Sequence, residues 1–125
     1  MTIETSLPCR IPATDRVAGD VARLRHDAER VRRRAAERRA DGGHEELLLA
    51  RVADFHALAY DELANAAQAR GELTSLARNT KAWQAAVERA RGANRRAEEF
   101  WSQAKSAHEL ADDQIRSNGS SVEPR

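Results

Sequence analysis

The chain has 125 residues, which suits one domain, and its 21 basic and 20 acidic side chains leave a formal net charge of +1. This balance excludes the strong overall field that would select an anionic partner. The composition is 41% hydrophobic but only 4% aromatic, and 25 alanines supply much of the apolar fraction. Because no stretch alternates with period two, the composition argues against strands and favours closely packed helices.

The cysteine content and the N-terminal segment bear on location and domain limits. Cys9 is the only cysteine, so no internal disulfide can form and a reducing compartment is expected. No apolar run has the length of a signal peptide or a membrane span, so we expect a cytoplasmic protein. Residues 1–13 lack periodicity and contain Pro8 and Pro12, which predicts an extended arm before a single helical domain over 14–116.

The first predicted helix spans residues 14–41. Thr14 or Asp15 can cap its N-terminus, and apolar residues then recur along one face at alternating steps of four and three. Those residues are Val17, Val21, Leu24, Ala28, Val31 and Ala35. The helix is expected to end at Gly42 and Gly43, because glycine readily adopts the left-handed dihedrals of a helix C-terminus.

A seam of small and apolar residues with the same spacing continues from Leu48 to Ile115. Four residues interrupt it: Glu62, Thr80, Asn94 and His108. A repeat near 3.5 residues is typical of long helices that bury a narrow stripe against other helices. The seam therefore predicts an all-α fold with coiled-coil-like packing.

Gly71 decides whether the seam belongs to one helix or to two. One helix over 44–116 would be about 110 Å long, so we favour a turn near residues 70–72, with helices over 44–70 and 72–116. The alternative is a helical hairpin that contains the continuous helix and forms a dimer.

The predicted fold is an up-down-up three-helix bundle, or coiled coil, of long helices. The first two helices have about 28 residues each and the third about 45, so the third is expected to project about 25 Å beyond the others. The projection would start near Phe100 and precede a disordered tail at 117–125. Because soluble monomers seldom expose such an apolar surface, we expect a partner protein or, preferably, a second copy to cover it as a homodimer. The expected interface residues are Phe100, Trp101, Ala104, His108, Ala111 and Ile115.

The first predicted helix is rich in arginine near its C-terminal end. Only Glu37 offsets the six arginines there, which are Arg30, Arg32, Arg33, Arg34, Arg38 and Arg39. In an antiparallel bundle they would face carboxylates of the other helices, so interhelical ion pairs are the expected role. The nearest carboxylates in that arrangement would be Glu45, Glu46, Glu98 and Glu99. The alternative is a phosphate-binding patch, which predicts nucleic-acid affinity that falls steeply with salt.

No motif for nucleophilic catalysis, nucleotide binding or paired-cysteine metal binding is present, so we expect no catalytic residues and no cofactor. His108 and Asp112 lie four residues apart on one helix face, but the Glu-x-x-His motif of di-iron bundles is absent, and we expect no metal. His56 and Tyr60 have the same spacing and are expected to form a partly buried pair.

Arg51 and His56 lie at the two ends of the segment RVADFH, residues 51–56. This Arg-x4-6-His spacing resembles that of HEPN ribonucleases, which are small, all-helical and usually dimeric. The resemblance covers six residues and implies that Arg51 and His56 act on RNA across a dimer interface. In that family a polar residue commonly follows the arginine, whereas Val52 follows it here.

These observations predict a non-enzymatic helical protein–protein interaction module: a small adaptor, regulator or assembly factor that acts through helix–helix contacts. Two alternatives stay open, a nucleic-acid-binding regulator that uses the arginines of the first helix and a HEPN-like ribonuclease. The expected partners are another protein, a second copy of the chain, or both. We expect no membrane partner.

Overall fold

A computed structural model describes residues 13–122, with side-chain surroundings for residues 19–117. Three helices run in sequence order: α1 over Ala13–Asp41, α2 over His44–Leu73 and α3 over Lys81–Val122. The predicted all-α, up-down-up three-helix architecture is confirmed, and the part of the chain that is described contains no strand. The predicted extended arm falls, up to residue 12, outside the described residues, as do residues 123–125 of the predicted tail. Residues 117–122, also predicted to be disordered, instead form the end of α3.

The first turn lies where the two glycines predict it. Gly42 has φ of +75°, the left-handed region that suits glycine after a helix end, and its N–H donates to the Arg39 carbonyl at 3.1 Å. Gly43 then occupies the N-cap position of α2. Glu45 and Glu46 follow in the first turn of α2, where negative charge complements the helix dipole.

The second turn comes later than predicted and excludes a continuous helix over 44–116. Gly71 lies inside α2, and residues 74–80 form the connection to α3. The Thr74 hydroxyl donates to the Gly71 carbonyl at 2.8 Å, and such local side-chain bonds compete with continuation of a helix. The Thr80 hydroxyl accepts the N–H of Trp83 at 3.2 Å and so caps the start of α3. Asn79, in the connection between Thr74 and Thr80, has a positive φ of 66°.

The middle helix α2 packs against both of the others. Within the described residues, no Cα atom of α1 lies within 8 Å of a Cα atom of α3. The bundle is therefore open, with α1 and α3 on different sides of α2. Every interhelical contact of the fold depends on the surface that α2 presents to each neighbour.

The core between the helices consists of small side chains. The buried apolar residues are alanines with the single exception of Val52, and no large side chain among the described residues is fully buried. On the side of α2 that faces α1, Ala50 and Ala53 pack with Ala35. Val52 lies two residues from Ala50, on the side that shares a cavity with Ala104 of α3. Small side chains on both sides let the helix backbones approach closely, but each contributes little buried area.

The projection of α3 is shorter than the sequence predicts. The His44 ring at the start of α2 lies 3.4 Å from the side-chain oxygen of Gln114, so α2 lies beside α3 up to that point rather than leaving it near Phe100. Residues 115–122 continue for about 12 Å. The difference arises because the seven-residue connection delays the start of α3 to Lys81, whereas the sequence predicts a start at residue 72.

An enlarged side chain in the alanine contact tests the packing. Ala57 is 1% exposed, so we expect Ala57→Leu to lower the free energy of unfolding by about 1–3 kcal/mol, because the close helix contact has no room for the added atoms. Urea unfolding followed by circular dichroism measures the change. Ala85→Leu, at an exposed position of α3, is the matched control. Equal stability of the two variants would contradict a tightly packed alanine core.

Candidate interaction surface

The arginines of α1 form a ladder of ion pairs with α2. Arg39 pairs with Asp54 and Arg32 pairs with Asp61. The two arginines are seven residues apart in α1, and the two aspartates are seven residues apart in α2. One heptad earlier in α1, Arg25 lies 3.6 Å from Asp61. Because a heptad repeat keeps residues on one side of a helix pair, the ladder runs along one edge of the α1–α2 contact.

Three of the six arginines in the predicted phosphate patch therefore have interhelical partners. These are Arg32, Arg39 and Arg38, which donates to Glu46 at 2.9 Å. Arg30 lies 3.2 Å from Asp27 of the same helix. Arg33 and Arg34 are exposed, and no carboxylate of the described residues lies within 4 Å of them. The remaining acidic partners are Asp54 and Asp61 rather than the predicted Glu45, Glu98 and Glu99; the last two lie on α3, which α1 does not contact.

A polar network continues from this ladder to the third helix. Arg25 donates to the Asn65 side-chain oxygen at 2.9 Å, and the Asn65 amide donates to Glu62 at 3.3 Å. Glu62 in turn lies 3.1 Å from the Nε atom of Arg96 on α3. Exposed pairs of this kind contribute up to about 1 kcal/mol each. The network connects all three helices through α2.

The predicted interface residues of α3 are largely used inside the chain. Ala104 is 1% exposed and Ala111 is fully buried, so in this fold neither has a surface for a second molecule. Trp101 lies against α2 as well. Phe100 and Ile115 are half-buried, and His108 is exposed with its Nδ1 atom 3.4 Å from Asp112. These residues lie against α2 because α2 extends alongside α3 as far as Gln114.

An aromatic cluster joins α2 to α3 at the level of Trp101. The Trp101 ring lies 5.1 Å from the His56 ring and 5.4 Å, edge to face, from the Tyr60 ring, which is a favourable geometry for aromatic pairs. A cavity of about 450 Å³ beside it is lined by His56, Trp101 and His108 among others. Burial, with a smaller effect of the nearby His108, lowers the pKa of His56. Among the described side chains, no group of three or more potential metal ligands is present.

A second, apolar groove lies between α2 and α3 at the end of the bundle near the Gly42–Gly43 turn. Its volume is about 430 Å³, and we call it the Phe55 groove. The lining residues are Leu48, Arg51, Phe55, Ser102, Gln103, Ser106, Ala107 and Leu110. Arg51 is the only charged residue among them, and its guanidinium carbon lies 6.0 Å from the centre of the Phe55 ring.

The large apolar side chains that are exposed in the described residues all belong to this region. Leu110 is 51% exposed and lines the groove, while Leu47 and Leu58 are 46% and 39% exposed. Leu47 precedes Arg51 by four residues and Leu58 follows Phe55 by three, so both lie on the same face of α2 as the groove wall. The seam in the sequence does not predict that these three leucines are exposed together, because none of them occupies a seam position.

Arg51 and His56 do not come together in the chain. Arg51 lines the Phe55 groove, whereas His56 lines the cavity beside Trp101. The two residues that carry the resemblance to HEPN ribonucleases therefore face different cavities. A shared ribonuclease site would require a second copy to supply one of them.

Comparisons with known proteins assign neither a family nor a function to this chain. No family model matches the chain, and no curated protein or solved structure matches it either. Within the described residues, no helix has the length and hydropathy needed to cross a bilayer.

The aromatic cluster gives a testable pH dependence. The pKa of His56 is lowered in the fold from the ordinary value of 6.5, so the unfolded chain takes up a proton first as the pH falls through about 6.5. Stability is therefore fully present above that pH and decreases towards the lower pKa of the folded state. Thermal unfolding between about pH 7.5 and pH 5 measures this loss.

His56→Gln should reduce that loss, whereas His26→Gln, at an exposed position of α1, should leave it unchanged. An unaltered pH profile for His56→Gln would contradict a partly buried, neutral His56 at the α2–α3 contact.

Proposed function

We propose that this chain is a non-enzymatic protein–protein interaction module, a small cytoplasmic adaptor, regulator or assembly factor that binds a helix in the Phe55 groove. The observation that carries the proposal is one apolar groove lined by the half-exposed Leu110, with the exposed Leu47 and Leu58 one turn from Arg51 and Phe55 of its α2 wall. Contiguous apolar surface on a small protein commonly marks a binding site. A groove between two helices suits an amphipathic helix whose apolar residues recur at steps of three and four.

The charge of the groove defines the partner further. Arg51 is exposed at the groove, and no carboxylate of the described residues lies within 4 Å of its guanidinium. The lining contains no acidic residue. An acidic side chain beside the apolar stripe of the partner helix would therefore complement the groove, and such complementarity favours correct orientation and faster association.

The two other functions have less support. The arginines that would form a phosphate patch are mostly paired with α2 or with a neighbour in α1. That leaves Arg33 and Arg34 as the arginines of the set with no carboxylate of the described residues within 4 Å, and α1 has no aromatic residue beside them for base stacking. The ribonuclease alternative requires a second copy to bring His56 of one subunit beside Arg51 of the other, because the two residues line different cavities of one chain.

A designed peptide tests the proposal directly. The probe is a fluorescently labelled 18-residue helix, about five turns long, with leucine at steps of four and three and glutamate beside that stripe. We expect Leu110→Ser to weaken its binding about tenfold or more, as measured by fluorescence anisotropy with unlabelled peptide in excess as competitor. The physical reason is loss of the apolar wall that Leu110 contributes to the groove.

Ala85→Ser is the matched control on an exposed position of α3 distant from the groove, and it should bind like the unmodified protein. A peptide of the same composition with its leucines distributed around the helix should not bind. Equal binding to both proteins, or equal binding of both peptides, would contradict the proposed site.

A further inference from the structure

An occupant complementary to the Phe55 groove has two features. The cavity of about 430 Å³, lined by Leu48, Phe55 and Ala107, suits a protruding apolar side chain. The charge of Arg51 favours an acidic group close to that side chain, because an ion pair at the edge of an apolar contact is only partly screened by solvent.

The α3 helix of the same chain carries both features on its surface. Leu110 is half-exposed and protrudes from the groove wall. Asp113 follows it by three residues, which is one turn along the helix, whereas Glu109 lines the cavity beside Trp101. Asp113 has only a distant partner, Arg116 at 3.8 Å, and both side chains are 74% exposed.

The protruding residue and the receiving cavity therefore belong to one patch of one chain. That is the condition for an interface with two-fold symmetry, in which the same surface serves on both subunits. If Leu110 of each copy enters the groove of the other, both cavities are filled and each Arg51 meets Asp113 of the partner helix. All of these contacts then occur twice.

We infer that the occupant of the Phe55 groove is a second copy of this chain, docked through α3 about a two-fold axis. The inference rests on the proposed use of the groove and names its partner. It also moves the predicted homodimer contact away from Trp101, Ala104 and Ala111, which α2 covers, to Leu110, Phe55 and Arg51.

Light scattering coupled to size-exclusion chromatography tests this inference over a range of protein concentrations. The unmodified protein should have a mass near twice the 13.9 kDa of the chain. Leu110→Ser should raise the dimer dissociation constant about tenfold or more, with unchanged helical circular dichroism, because the side chain is half-exposed. Ala85→Ser should remain dimeric.

Charge exchange identifies the contact. Arg51→Glu should weaken the dimer, and Asp113→Arg should weaken it as well. The protein that combines both changes should recover association, since the charges are complementary again. Recovery is expected only if these residues meet across the interface.

The outcomes separate the dimer from the groove itself. A monomer at all concentrations that still binds the designed peptide would overturn the second copy as occupant while leaving the groove as a binding site. A dimer unaffected by Leu110→Ser would overturn the location of the contact. A monomer that does not bind the peptide would overturn both.

Discussion

The fold depends on the close approach that alanine permits on both sides of α2. Each outer helix contacts only this middle helix within the described residues, and the buried side chains at both contacts are alanines apart from Val52. Close backbone approach compensates in part for the small area that each alanine buries. No large apolar side chain of the described residues is fully buried, and three of them, Leu47, Leu58 and Leu110, are exposed at the surface.

Ion pairs supplement this thin core and specify how the helices are arranged. The seven-residue spacing of Arg32 and Arg39 matches the spacing of Asp61 and Asp54, so one register of α1 on α2 satisfies both pairs. A slide by part of a heptad would separate them. The arginine-rich end of α1 thereby serves the fold, and the apolar Phe55 groove on the other side of α2 is the surface left for a partner.

Local patterns in the sequence were sufficient to predict the three helices and the position of the first turn. Apolar spacing predicts α1 correctly, and Gly42 with Gly43 predicts the first turn. The second turn was predicted at Gly71 because glycine commonly ends helices. In the structure the hydroxyl groups of Thr74 and Thr80 form the capping bonds instead. Side-chain capping depends on geometry that spacing alone does not reveal.

The candidate site was harder to predict for a related reason. A single seam from Leu48 to Ile115 assigns one buried face to α2, but a middle helix needs two, and the second is supplied by alanines between the seam positions. The true register extends the contact with α3 to Gln114. In that register Trp101 packs against α2 and Leu110 is exposed. The register follows from tertiary packing rather than from any local pattern.

The central claim is that α2 alone connects α1 to α3, and a distance between the outer helices tests it most directly. Spin labels at Arg34→Cys and Lys105→Cys, in a Cys9→Ser background, mark α1 and α3 at the level of residues 52–53 of α2. The open bundle places the axes of α1 and α3 about 16–20 Å apart, or two helix spacings, and predicts an interspin distance of that size or longer because both labels extend from exposed positions. An interspin distance that fits only axes about 8–10 Å apart, the spacing of helices in direct contact, would contradict the account.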